Sequence, residues 1–170
     1  MTSFEKCSSA LDSLNSVNLR FRPKTNEAVE NARVIATSFE QTSETERDRL
    51  LVVINSALAM KLLGLSGFVA EAAVNADDES LIRTAIILHV VEDFRKDYRE
   101  NYRYLVLIAH ASKRIGVDLK FVIASVDHIA SGRAKKCLSD FVSRNDDLNR
   151  LESFGIKAEV VDGGFRFAPM

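Results

Sequence analysis

The sequence predicts a mainly α-helical fold, an antiparallel helical bundle or short α-solenoid, with a small β-hairpin at its C-terminus. Three observations carry this. Apolar residues recur at steps of three and four through most of the chain, the period of a helix with one buried face. Start and stop residues punctuate those runs: Thr2 with Glu5, Ser43 with Glu46, Asp97 with Glu100, then Gly116 and Gly132. After Gly155 the period changes to strict alternation. At 170 residues, 46% apolar and 28% charged, the composition is that of one soluble globular domain spanning residues 1–170, with 156–168 appended as the hairpin.

The first helix follows the Thr2–Glu5 capping box, and Phe4, Cys7, Leu11 and Leu14 form one apolar stripe. The stripe suits either a helix laid on the core or a dimerisation seam. Leu19-Arg20-Phe21-Arg22-Pro23 alternates and stops at proline, which predicts a short strand and a candidate third partner for the hairpin. Thr25 or Asn26 caps a second helix with Val29, Ala32, Ile35, Ala36 and Phe39 inward. Ser43 and Glu46 open a third, running to Leu63; Leu50–Ile54 is apolar throughout, so this helix is also largely buried, and Gly64 ends it. A shorter helix spans about residues 67–75.

The central stretch, Asp77 to Gly132, reads as three consecutive helices. Asp77 and Asp78 are N-cap candidates for the first. Its run Ile86–Val91 is apolar except for His89, so it is surrounded by protein. The second opens at Asp97, carries Tyr98, Tyr102, Leu105, Ala109 and Ile115 along one ridge, and stops at Gly116. Asp118 caps the third, with Phe121, Val122, Ser125, Val126 and Ile129 inward and Gly132 as its end. Asp78-Glu79-Ser80-Leu81-Ile82-Arg83-Thr84-Ala85 resembles the second helix of a HEAT-type repeat, in which an acidic cap is followed by an apolar–Arg pair and small residues. The resemblance covers about residues 66–132 and implies a HEAT-like stack of paired helices. Arg133–Arg144 is helical again, with Ala134, Cys137, Leu138, Phe141 and Val142 inward, and Asp146 caps a last helix through Phe154. Ile156–Val160 and Phe165–Phe167 then flank Asp162-Gly163-Gly164, a hairpin turn.

The formal net charge of -1 predicts no polyanionic partner overall, but its distribution is uneven. Residues 95–136 carry ten Lys or Arg against four Asp or Glu, whereas residues 1–94 carry nine against fourteen. Arg95, Lys96, Arg99 and Arg103 lead into one helix among Tyr98, Tyr102 and Tyr104, and Lys135 and Lys136 begin another. These six cations are the candidate interaction residues. A solvated charged face, an acidic protein surface and nucleic acid are the competing readings, the last because arginine with tyrosine contacts phosphates and stacks on bases.

The chemistry-bearing residues are sparse. Cys7 and Cys137 have no metal-ligand spacing and read as free buried thiols. His89, Glu92 and Asp93 share one helical face, which is a metal or acid/base cluster or a core histidine hydrogen-bonded to a carbonyl or to Asp93. Di-metal bundles repeat a Glu-x-x-His motif, and here the order is reversed and occurs once. His110 and His128 read as structural. No nucleophile elbow, phosphate loop or His-Glu-x-x-His occurs. The N-terminus lacks a basic segment followed by an apolar one, and Lys61 interrupts the best membrane-span candidate, Leu50–Ala70.

The resulting expectation is a cytoplasmic, cofactor-free, non-enzymatic protein-binding module, of the kind bacterial toxin-neutralising immunity proteins and regulatory adaptors represent. Its partner would be another protein with an acidic surface, or a second copy in a homodimer. The alternatives are a nucleic-acid binder using residues 95–136 and a metal protein or enzyme using His89, Glu92 and Asp93.

Overall fold

The structure is a computed structural model that describes residues 2–15, 26–61, 65–92, 98–130, 132–144, 156–161 and 164–169, with side chains over 2–14, 27–52, 65–91, 104–130 and 134–143. It is mainly helical. Among the described residues eight α-helices run in order: α1 Ser3–Asn15, α2 Asn26–Gln41, α3 Glu44–Lys61, α4 Leu65–Ala76, α5 Glu79–Glu92, α6 Tyr98–Ile115, α7 Leu119–Ser125 and α8 Gly132–Arg144. A 3-10 turn, Asp127–Ile129, sits between the last two.

Several ends follow from named residues. Thr2 and Glu5 form a reciprocal capping box: the Thr2 amide donates to Glu5 Oε2 at 2.8 Å and the Glu5 amide to Thr2 Oγ1 at 3.1 Å. At Ser43 the box does not form. The Glu46 amide donates to the Ser43 carbonyl at 3.0 Å, and the Ser43 hydroxyl lies 3.3 Å from Thr45 Oγ1. The two aspartates between α4 and α5 divide the work. Asp77 takes a positive φ of 50°. The Asp78 amide then reaches back to the Ala73 carbonyl at 3.1 Å, closing α4 as a Schellman turn. Asp78 Oδ1 accepts from the Ser80 amide at 3.0 Å and opens α5. Gly116, with φ 81°, ends α6 in the same way: the Val117 amide donates to the Ser112 carbonyl at 2.8 Å.

α5 is the axis of the packing. It lies against α2, α3, α4, α6 and α7. Every residue from Leu81 to Val91 is buried except Arg83, which is half-buried. A helix with neighbours on all sides has no face for charge, which is why its sequence has no polar stripe. The α1 stripe is used inside the chain: Cys7, Leu11 and Leu14 are buried against the core, so that seam is not presented for dimerisation. Phe4 alone projects, with the Arg49 guanidinium 5.9 Å above its ring.

Two ion pairs tie α2 to α5. Arg33 donates to Asp78 Oδ2 at 2.5 Å and to the Ser80 hydroxyl at 2.7 Å. Arg83 grips both oxygens of Glu40, with one bond of 2.8 Å to Oε2. Residue numbers rise together across the pairs, so α2 and α5 run parallel. The hydrogen bond and charge of Arg83 hold the Glu40 carboxyl below the usual glutamate range, and bonds from Ser80 and Arg33 do the same for Asp78. A carboxyl with a depressed folded pKa stabilises above its unfolded pKa and ceases to as pH falls through the folded value. Arg83→Met is therefore expected to cost roughly 1–2 kcal/mol at pH 7, as for a part-exposed bidentate pair. In urea melts the gap from the parent should narrow as pH falls below about 4, the range in which a glutamate of the unfolded chain takes up its proton while the paired Glu40 resists it. A gap that stays constant down to pH 3 would contradict the pairing.

Some inward assignments are corrected. Val52 is 59% exposed although it sits in an apolar run, because only one side of α3 meets the core there. The helix expected to run from Asp118 to Gly132 stops at Ser125, continues as the 3-10 turn, and Gly132 begins α8. Phe121, expected inward, is 75% exposed. Val122, Ile123 and Val126 define the buried side of α7, with half-buried Leu119 packed against the core on the same side. At 3.6 residues per turn Phe121 lies roughly 150° from its centre. The short strand at 19–23, the cap at Asp97 and the helix from Asp146 to Phe154 lie outside the described residues.

Candidate functional site

Residues of α7, the 3-10 turn and α8 line a groove of about 440 Å³, open to solvent. Asp118 sets the start of its first wall: its Oδ1 accepts from the Lys120 amide at 3.1 Å, with the aspartate backbone extended as an N-cap requires. That wall consists of Lys120, Ile123, Ala124 and Asp127, spaced i, i+3, i+4, i+7. The opposite wall repeats the spacing on α8 with Lys135, Leu138, Ser139 and Val142, followed by Ser143. The α8 wall is one helical face two turns long, roughly 10 Å, whereas the other is α7 as far as Ala124 and then Asp127 in the 3-10 turn.

The floor is apolar. Ile123 and Leu138 are buried at its base, Val142 is half-buried, and Ala124, Ser139 and Ser143 are exposed along its edges. Lys135 Nζ lies 3.0 Å from Asp127 Oδ2 and closes one end. Since Lys135 starts α8 and Asp127 follows α7, this end is the one nearest the connection between the two helices. Lys120 consequently stands at the far end from Lys135, on the other wall. The groove thus has an oily base, Lys120 toward one end, and Lys135 with the carboxylate of Asp127 at the other. That arrangement can desolvate apolar side chains and orient carboxylates.

The candidate interaction residues divide. Lys135 is on the groove wall, and Lys136 beside it is exposed. Arg99 and Arg103 lie on α6, their side chains outside the described ones, and Arg95 and Lys96 are outside the described residues altogether. Sequence reasoning missed Lys120, Ile123 and Ala124 as wall residues. The signal was present: Lys-x-x-apolar-small occurs at Lys120-Ile123-Ala124 and again at Lys135-Leu138-Ser139.

His89 is 1% exposed at the core of α5, while Glu92's side chain and Asp93 are outside the described ones. No group of three or more potential metal ligands occurs among the described residues. Cys7 and Cys137 are both free and buried, and burial pushes the Cys7 thiol up to about 12, which keeps it protonated and unreactive at neutral pH. Among the described residues no helix is long and apolar enough to cross a membrane. No protein-family model, curated protein or solved structure matches the chain.

Proposed function

We propose that the chain is a non-enzymatic protein-binding module, in the manner of a bacterial immunity protein or a small regulatory adaptor, and that it binds through the α7–α8 groove. The observation that carries this reading is the groove's composition: an apolar base with a cation toward each end and small residues along the edges. Phe121, three-quarters exposed on the same short helix, adds apolar surface next to it. A small molecule is a poorer occupant, because a ligand site encloses most of its ligand and this groove is open along its length.

The architecture in this proposal is one helical domain built as a HEAT-like stack. Its support is the parallel run of α2 and α5, with α1 packed on α2 and α4 packed on α5, as in stacked helix pairs. The appended hairpin belongs to the same proposal. Ile156–Val161 runs antiparallel to Gly164–Pro169, which sets Glu159 opposite Arg166 and Ala158 opposite Phe167.

A photo-crosslinking residue at exposed Ser139, in the native host, tests the reading. The expected result is one discrete protein adduct that is absent when the same residue replaces exposed Thr45 on α3. Equal labelling at both positions, or none at either, would overturn it. An adduct removed by nuclease would transfer the site to nucleic acid.

A further inference from the structure

We infer that the groove takes a short amphipathic helix of another protein, one whose apolar stripe is flanked by carboxylates; this rests on the protein-binding reading above. The groove's shape suits a helix. One face of α7, continued by the 3-10 turn, and one face of α8 line a single open trough. A helix laid in such a trough presents apolar anchors at i, i+3, i+4 and i+7. Exposed Ala124 of α7 and Ser139 of α8 both line it, and small side chains there let a third backbone approach.

The groove's charge suits an acidic helix. Lys120 and Lys135 mark its two ends, and the carboxylate lining the groove, Asp127, is engaged with Lys135 at 3.0 Å. An ammonium has three donors, so a second carboxylate can join Lys135 without displacing Asp127. The complementary helix carries acidic residues on opposite flanks, about two turns apart. Complementary charge of this kind fixes direction and register.

The other occupants fit less well. Two copies set groove to groove join two hollows, and both bring the same excess of lysine. A phosphate backbone gains nothing from Ile123, Leu138 and Val142, and meets Asp127.

Panning a displayed library of random 16-residue peptides on the full chain tests the inference. Ala124→Arg and Ser139→Arg serve as groove-blocked controls; both positions are exposed, so the fold is retained, which circular dichroism verifies. The expected clones carry apolar residues at i, i+3 or i+4, and i+7, with Asp or Glu beside them. Synthetic versions should lose at least tenfold in affinity for either blocked chain. Lys120→Glu should weaken them severalfold, and exchanging one peptide carboxylate for lysine should restore binding to that variant. Groove-dependent clones that are basic, neutral or without helical spacing would overturn the acidic helix but leave the protein-binding groove intact. No clone sensitive to either blocking variant would overturn both.

Discussion

Ile86→Asp is expected to leave no cooperatively folded chain, while Phe121→Asp is expected to change stability by no more than about 0.5 kcal/mol. Ile86 is fully buried on α5, the helix with neighbours on every side. Removing its methyl groups costs about 2–5 kcal/mol, and the carboxylate has no partner among Ile82, Ala85 and Val90. Burying an unpaired carboxyl adds several kcal/mol even when it is protonated. The sum exceeds roughly 5 kcal/mol, against a whole-domain stability of about 5–15 kcal/mol. Phe121, in contrast, already faces solvent, so aspartate there removes apolar surface from water. Circular dichroism with urea titration separates the two variants. Cooperative unfolding of Ile86→Asp within about 1 kcal/mol of the parent would mean that α5 is not the packing axis.

Gly67→Val is expected to destabilise by about 2–3 kcal/mol, the range for overpacking a filled site. Helix propensity alone predicts the opposite, since glycine is the poorest ordinary residue inside a helix. The deciding fact is the approach of α4 to α6. A Cβ on Gly67 would stand 2.9 Å from Leu107 Cδ2 and 3.0 Å from Tyr104 Cδ1. The Leu107 methyl is mobile enough to yield to alanine, but valine brings two more methyls against the Tyr104 ring. Gly67→Ala should accordingly cost less, with overpacking partly offset by a propensity gain of about 1 kcal/mol. The order Gly > Ala > Val in thermal melts is the expected result. Valine more stable than glycine would show that the two helices are not in contact at Gly67.

These two cases mark what can be read before folding is known. The helix at Asp78–Val91 was legible because its signal is saturated: when nearly every position is apolar, its phase does not matter. The turn at Gly116 was legible because a positive φ is rare outside glycine. Asp77 was not, since an aspartate beside Asp78 reads as a second cap, and only the bond from the Asp78 amide to the Ala73 carbonyl assigns it to the end of α4. Val52 and Phe121 were misplaced for a common reason. A mixed run has several candidate inner faces, and the neighbouring elements select one.

The sequence by itself determined that the chain is mainly helical, where most helices begin and end, and which of them has no outer face. Those properties come from local backbone and side-chain chemistry and from spacing along one element. Tertiary structure alone decided that Arg33 and Arg83 find Asp78 and Glu40 from another helix, that Gly67 needs its missing side chain, and that α7 and α8 together line a groove. Each depends on the separation of two elements distant in sequence, and that separation is set by how all the other side chains pack.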